Sequence, residues 1–236
     1  FIQACGLQKE NFMKKNLKKS ILALAVAAVS AVAFAQDARS IVDKALNIKK
    51  PDFNHSIIEM DLINKSGKVE EHRVIDELGR HKKDTDTSDV VMNFVMSNNK
   101  SNQGIKFLQK ENKGKDDDKW IYMPSLKTTR RVNSSEGSKS FTGTDASYDD
   151  MSTRELDDDT HELLREENKN GFDCFVIKST PTDKTMGDAQ YAYRIQWIDK
   201  KTYVPVYAEM YDKKDKSLVK VLTVDTLENI QGYDIT

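Results

Sequence analysis

The chain has 236 residues, 37 Lys and Arg against 38 Asp and Glu, and a formal net charge of −1. No basic excess is available to neutralise phosphates, which argues against nucleic acid as a partner. With aromatic residues at 8% and charged residues at 32%, the expected core is modest and assembled from short apolar runs.

Met13 is followed by Lys14, Lys15, Lys18 and Lys19, then by the apolar run Ile21 to Phe34, which ends in Ala33-Phe34-Ala35. These are the n-region, h-region and cleavage site of a signal peptide spanning residues 13–35. The run falls short of the roughly 20 residues that cross a bilayer, so cleavage after Ala35 and release into the periplasm are expected. Residues 1–12 read as an over-extended start. Cys5 precedes the apolar run, whereas a lipidated cysteine follows one. Cleavage removes five lysines and one glutamate and takes the net charge from −1 to −5. It leaves Cys174 as the single cysteine, with no partner for an intramolecular disulfide.

The remainder, residues 36–236, suits one domain. Asp37 to Ile48 reads as a helix: Ile41, Val42, Ala45 and Leu46 share a face, and Pro51 follows the end. The period then changes to two. Ile58, Met60 and Leu62 alternate with Glu59 and Asp61, and Asn64-Lys-Ser-Gly67 turns the chain into a second strand over 69–82. Further strands are predicted over 90–96, 104–109, 119–123, 172–179, 191–198, 203–211 and 218–227. Turns such as Asn98-Asn99 and Asp199-Lys-Lys201 separate them. Residues 133–170 interrupt the pattern. They begin with a Ser/Gly-rich stretch, offer a short helix or turn over 149–156 and a helical turn over 160–167, and are the best candidate for a lid. The predicted class is mainly β with helices (α+β), a curved antiparallel meander.

Apolar residues alternate in Val90-Met92-Phe94-Met96 and in Tyr191-Tyr193-Ile195-Trp197. One sheet face is therefore apolar over several strands. Helices, a second sheet or a ligand must cover it. Met60, Met92, Met96 and Met123 add the flexible thioethers that suit adaptable apolar surfaces.

Trp120-Ile-Tyr-Met-Pro-Ser-Leu-Lys-Thr-Thr-Arg-Arg-Val132 and Ser140-Phe-Thr-Gly-Thr-Asp-Ala-Ser-Tyr-Asp-Asp-Met151 resemble the signature of a branch of the outer-membrane lipoprotein-sorting (LolA-like) family. The hairpin Ile198 to Val206, leading to Glu209-Met-Tyr-Asp212, is similar to that family's C-terminal strands. The chain departs from the branch at Thr142 and Ala146, where bulkier residues are usual, and residues before Asp84 lack the Arg- and Pro-containing strand pattern of the best-known carriers. The resemblance implies a half-open barrel with a helical lid over its concave side, sheltering lipoprotein acyl chains or another lipidic ligand. Its partners would be an inner-membrane transporter and an outer-membrane acceptor. It places Met92, Phe94, Met96, Trp120, Tyr122, Tyr193 and Trp197 in the ligand groove and Phe141, Tyr148 and Met151 in the lid. Arg130 and Arg131 would latch the lid to Asp145, Asp149 and Asp150 through forked Arg–carboxylate pairs.

No cofactor, metal or catalytic residue is assigned. Asp116-Asp-Asp118 and Asp157-Asp-Asp159 lack calcium-loop spacing and read as solvated charge. The four histidines lack zinc-ligand spacing, and Ser97-Asn-Asn-Lys100 matches S-x-x-K without any accompanying catalytic motif. The leading expectation is a periplasmic carrier or chaperone that performs no chemistry. Its alternatives are an envelope interaction module whose apolar face is filled by its own side chains and a hydrolase of envelope lipids.

Overall fold

The computed structural model describes residues 38–236, so the predicted signal peptide and its cleavage point lie outside the described residues. The chain forms two compact units. One comprises Lys49–Glu155 with Glu228–Ile235; the other comprises the described residues up to Ile48, Leu156–Leu227 and Thr236.

In the second of these units, helix α1 (38–46) buries Ala38, Ile41 and Val42 against Ile177 and Ile198, with Ala45 and Leu46 packed alongside. These five positions recur at i, i+3, i+4, i+7 and i+8, one stripe of an amphipathic helix, as the sequence predicts.

The first unit is built on β1 (Phe53–Ile63), β2 (Val69–Lys82), β3 (Thr87–Ser97), β4 (Lys106–Lys110), β5 (Asp118–Met123) and β6 (Thr128–Val132). They pair antiparallel in chain order, with β1 and β6 as edges. The predicted turn between β1 and β2 is fixed by the Asn64 side-chain oxygen, which accepts the N–H groups of Ser66 and Lys68 at 3.0 and 3.1 Å. Gly67 supplies the left-handed conformation there, with φ +82°.

The second unit's sheet contains β7 (Asp159–Lys169), β8 (Phe172–Pro181), β9 (Tyr193–Asp199), β10 (Pro205–Tyr211) and β11 (Leu218–Thr223), ordered β11-β10-β9-β8-β7. A short hairpin, β12 (Glu228–Ile230) with β13 (Tyr233–Ile235), completes the described strands. Among the described residues the fold is mostly β, and each of the two larger antiparallel sheets is open, with β1 and β6 as the edges of one and β11 and β7 as the edges of the other.

One local expectation is corrected. Residues 160–167, predicted as a helical turn, belong to strand β7, which pairs with β8 from Asp159↔Pro181 to Lys169↔Phe172. Its charged residues occupy an edge strand, where charge is tolerated and discourages further pairing. Leu163 reaches the cluster under α1, so tertiary packing overrides a sequence without clear alternation. Before β7 the predicted lid, 133–170, carries short 3-10 turns at Ser134–Glu136, Asp149–Met151 and Leu156–Asp158, the second of them within the stretch expected to hold a short helix or turn. Thr142 (φ 49°) and Gly143 (φ +84°) take the left-handed region inside the lid. Two such residues cannot continue a right-handed helix.

Candidate functional site

Directly paired residues share a face of an antiparallel sheet, so the register separates the two faces of the six-stranded sheet. One face carries the rows Ile58–Ile75–Phe94 and Met92–Phe107–Ile121–Arg130. Ile75, Phe94, Ile105, Phe107, Ile121 and Val132 form its buried core. Residues 133–155 roof this face. Phe141 and Tyr148 are buried in the same cluster, with Ala146 and Met151 packed against it. The Phe141 ring lies 5.0 Å edge-on to Phe107, 6.2 Å from Phe94 and 5.6 Å from Tyr148. Edge-on pairs of this kind each add ~0.5–1.5 kcal/mol beyond area burial.

The roof is pinned by polar bonds. Arg73, on β2, is 1% exposed and is held by both oxygens of Glu71 at 2.7 and 3.0 Å. It donates to the Thr142 hydroxyl at 3.0 Å and to the Thr142 carbonyl at 2.9 Å. Glu71 in turn accepts from Ser97 at 2.7 Å and from Asn102 at 2.8 and 3.1 Å. The Arg73 hydrogen bonds, reinforced by Asn102 and Ser97, outweigh burial and pull the Glu71 carboxyl down from 4.5 to about 2. Farther along, Gln109 donates to the Met151 carbonyl at 2.8 Å, while Lys119 holds Ser152 at 2.6 Å. The Ser152 hydroxyl also donates to Asp117 at 2.7 Å. Asp117 is thus a structural acceptor and not the solvated charge that its run suggests.

Arg130 and Arg131 do not pair with Asp145, Asp149 and Asp150. Arg130 donates to Glu136 at 2.9 Å, and Arg131 pairs with Asp118. The difference follows from alternation along β6: Arg130 points to the roofed face, where Glu136 begins the segment, and Arg131 to the opposite one. Asp150 accepts from the Ser147 N–H and hydroxyl at 2.7 and 3.0 Å. Burial raises the Asp149 carboxyl above its usual range, and Asp145 is exposed.

Of the predicted groove residues, Met92 and Phe94 lie on the roofed face. Met96 does not: the pairing shifts between Val74 and Ile75, and this bulge turns Met96 to the other face, where it is 47% exposed. Trp120 and Tyr122 also face away from the roof. Trp120 pairs with Leu108 and Arg131, and it is Ile121 that reaches the roofed core. Tyr193 and Trp197 lie in the other unit. Trp197 is 4% exposed, with Cys174, Val176 and Val206 around it, and donates to Glu167 at 2.5 Å. Tyr193 stacks on Tyr211 at 4.4 Å. Cys174 is fully buried, and burial pushes its thiol up to about 11.

Alternating strand patterns identify apolar positions but do not reveal the roof's buried polar anchor. Its trace in the sequence is the run Glu71, Arg73, Ile75, in which two charged residues occupy core-face positions of a strand. Ser97, first of the S-x-x-K match, is engaged as a donor to Glu71. Among the described residues no group of three or more His, Cys, Asp or Glu is arranged to hold a metal ion.

Solved structures share this mostly β fold, among them proteins assigned to outer-membrane lipoprotein sorting. A DUF1329 family protein from Desulfovibrio piger shares 28% identity over 85% of this chain and 82% of its own, with a TM-score of 0.76. A domain from Vibrio parahaemolyticus assigned to outer membrane lipoprotein sorting shares 26% over 84% and 81%, with a TM-score of 0.74. A LolA superfamily protein from Nitrosomonas europaea, at 22% identity over 83% and 80% and a TM-score of 0.53, has the same fold. No curated protein matches the sequence. Residues 88–236 match the model of the DUF1329-like family, described as uncharacterized, and the chain belongs to that family.

Proposed function

We propose that this protein is a periplasmic carrier that holds the acyl chain of a lipoprotein, or of another lipidic molecule, against the roofed face of the six-stranded sheet. It passes that cargo towards the outer membrane without chemistry. The reading rests on one observation above all: an apolar sheet face is covered by a non-strand segment attached through side chains and a polar anchor. Displacing Phe141 and Tyr148 exposes Phe94, Phe107 and Ile121 without breaking a strand ladder. An alkyl chain laid in their place regains ~0.8 kcal/mol per buried methylene. The predicted signal peptide and the lipoprotein-sorting description of the Vibrio relative support an envelope location. A transporter in the inner membrane and an acceptor in the outer membrane are the partners such a carrier requires.

Protein purified from a lipid-containing host should carry an amphiphile visible by native mass spectrometry. Repeatedly empty spectra, together with no uptake of a fluorescent fatty acid, contradict the carrier. A second reading has its own support, because Phe94 and Phe141 are 0% and 1% exposed and the chain fills this face itself. On that reading the protein is an envelope interaction module. Substituting Arg73 separates the two: faster fatty-acid uptake marks a carrier, whereas loss of stability with no uptake marks a module.

A further inference from the structure

The face of the six-stranded sheet turned away from the roof carries a second apolar surface. Leu78 pairs with Val91, Val91 with Leu108 and Leu108 with Trp120, so four apolar side chains line up across β2 to β5. On β1 His55 pairs with Leu78, and Phe53, two residues away on the same face, is 73% exposed; Leu78 is 52% and Val91 39% exposed. Phe53, Leu78, Val91 and Leu108 line an open groove of about 500 Å³, within the roughly 300–1,000 Å³ of small-molecule sites.

One side of this groove is flanked by a row of charged residues. Arg80, Asp89 and Lys110 line it and follow one another in register, with Phe53 opposite Arg80. The Asp89 carboxylate takes bonds from both Arg80 (2.5 Å) and Lys82 (2.9 Å). The next carboxylate across, Asp118, is engaged by Arg131 and by Asn112 at 3.1 Å. Arg80, Lys82 and Lys110 therefore neighbour the single groove carboxylate Asp89, alongside an apolar trough.

We infer that this outer groove is a second binding site, for a long-chain fatty acid whose tail lies along Leu78, Val91 and Leu108 and whose carboxylate meets Arg80 and Lys110. Charge complementarity selects the occupant: Asp89 already answers Arg80 and Lys82, the cations still outnumber it, and a neutral chain leaves that excess at Lys110 unmatched while a cationic one is repelled. The site rests on the lipid-carrier reading but uses the opposite face of the sheet, so its failure is distinguishable from failure of the roofed site.

The test is equilibrium binding of 11-(dansylamino)undecanoic acid to the full chain and to three variants. Leu78→Glu and the double substitution Arg80→Glu with Lys110→Glu alter only exposed positions of the outer face, and Phe141→Ala alters the roof. The expected result is a loss of affinity on the order of tenfold or more in both outer-face variants for one class of site, and retention of that class in Phe141→Ala. Circular dichroism melts should show the outer-face variants folded, which removes misfolding as an explanation. Dodecanol competing as well as dodecanoate overturns the carboxylate assignment. Binding weakened by Phe141→Ala but unchanged by the outer-face variants overturns the outer site and leaves the roofed one standing. Binding only to anionic phospholipid vesicles, with none to the free acid, also overturns it.

Discussion

Arg73 is the residue on which the roof depends most. Its guanidinium is buried and bonded to Glu71 and Thr142 together. Arg73→Ala strips Glu71 of its cation and leaves a charge inside the unit, a change that typically costs about 3–5 kcal/mol. Thr142→Ala removes a single hydroxyl acceptor while the carbonyl bond persists, and should cost only about 0.5–1.5 kcal/mol. Urea unfolding of both variants measures the ratio. The same pair gives a pH dependence of defined sign. Glu71 titrates at about 2 in the folded protein against an ordinary 4.5, so between these values the unfolded chain binds more protons. Stability contributed by Glu71 is complete above about 4.5, falls as the pH drops towards 2 and is lost below it. Unfolding free energies from pH 6 down to 2 should show that slope in the wild type and a shallower one in Glu71→Gln; equal slopes contradict the assignment. Neither residue announces itself in the sequence, because charged side chains on a strand usually face solvent and only the distant loop makes these two internal.

Strand β3 shows how a single bulge redistributes side chains. Phe94 is 0% exposed and in contact with Phe141, while Met96, two residues on, is 47% exposed. Phe94→Ala should therefore cost about 3–5 kcal/mol, and Met96→Ser should stay within about 0.5 kcal/mol of wild type. Equal costs, measured by thermal or denaturant unfolding, contradict the register. This element also marks where sequence reading succeeds and where it stops. The turns at Asn64–Gly67 and Asp199–Lys201, the α1 stripe and most strands of the meander are legible because local chemistry sets them. Which of two alternating sets faces the roof is not, since both Trp120/Tyr122 and Ile121 are apolar and only the ladder partners decide. The bulge is invisible for the same reason: one extra residue in β3 leaves no mark in the apolar pattern. Strand β7 was hidden by its charge, and its identity comes from pairing with β8.

The fold class and the region of the roof were readable from apolar alternation and from the motif over 120–151, whereas the roof's anchor and the side of the sheet taken by each aromatic residue required coordinates. What emerges is a six-stranded sheet with two distinct apolar faces. One is covered by Phe141 and Tyr148 and pinned by Arg73; the other is open and bordered by Arg80 and Lys110. The carrier reading makes the covered face the cargo site, reached when residues 133–155 move. A photoreactive fatty acid with a diazirine in mid-chain, irradiated with the full protein and mapped by peptide mass spectrometry, tests that movement most directly. Labels within β3 to β5 at Phe94, Phe107 and Ile121, and within 141–148, are the predicted result. Labelling confined to the surroundings of Leu78, or none above that of the unfolded chain, would contradict it.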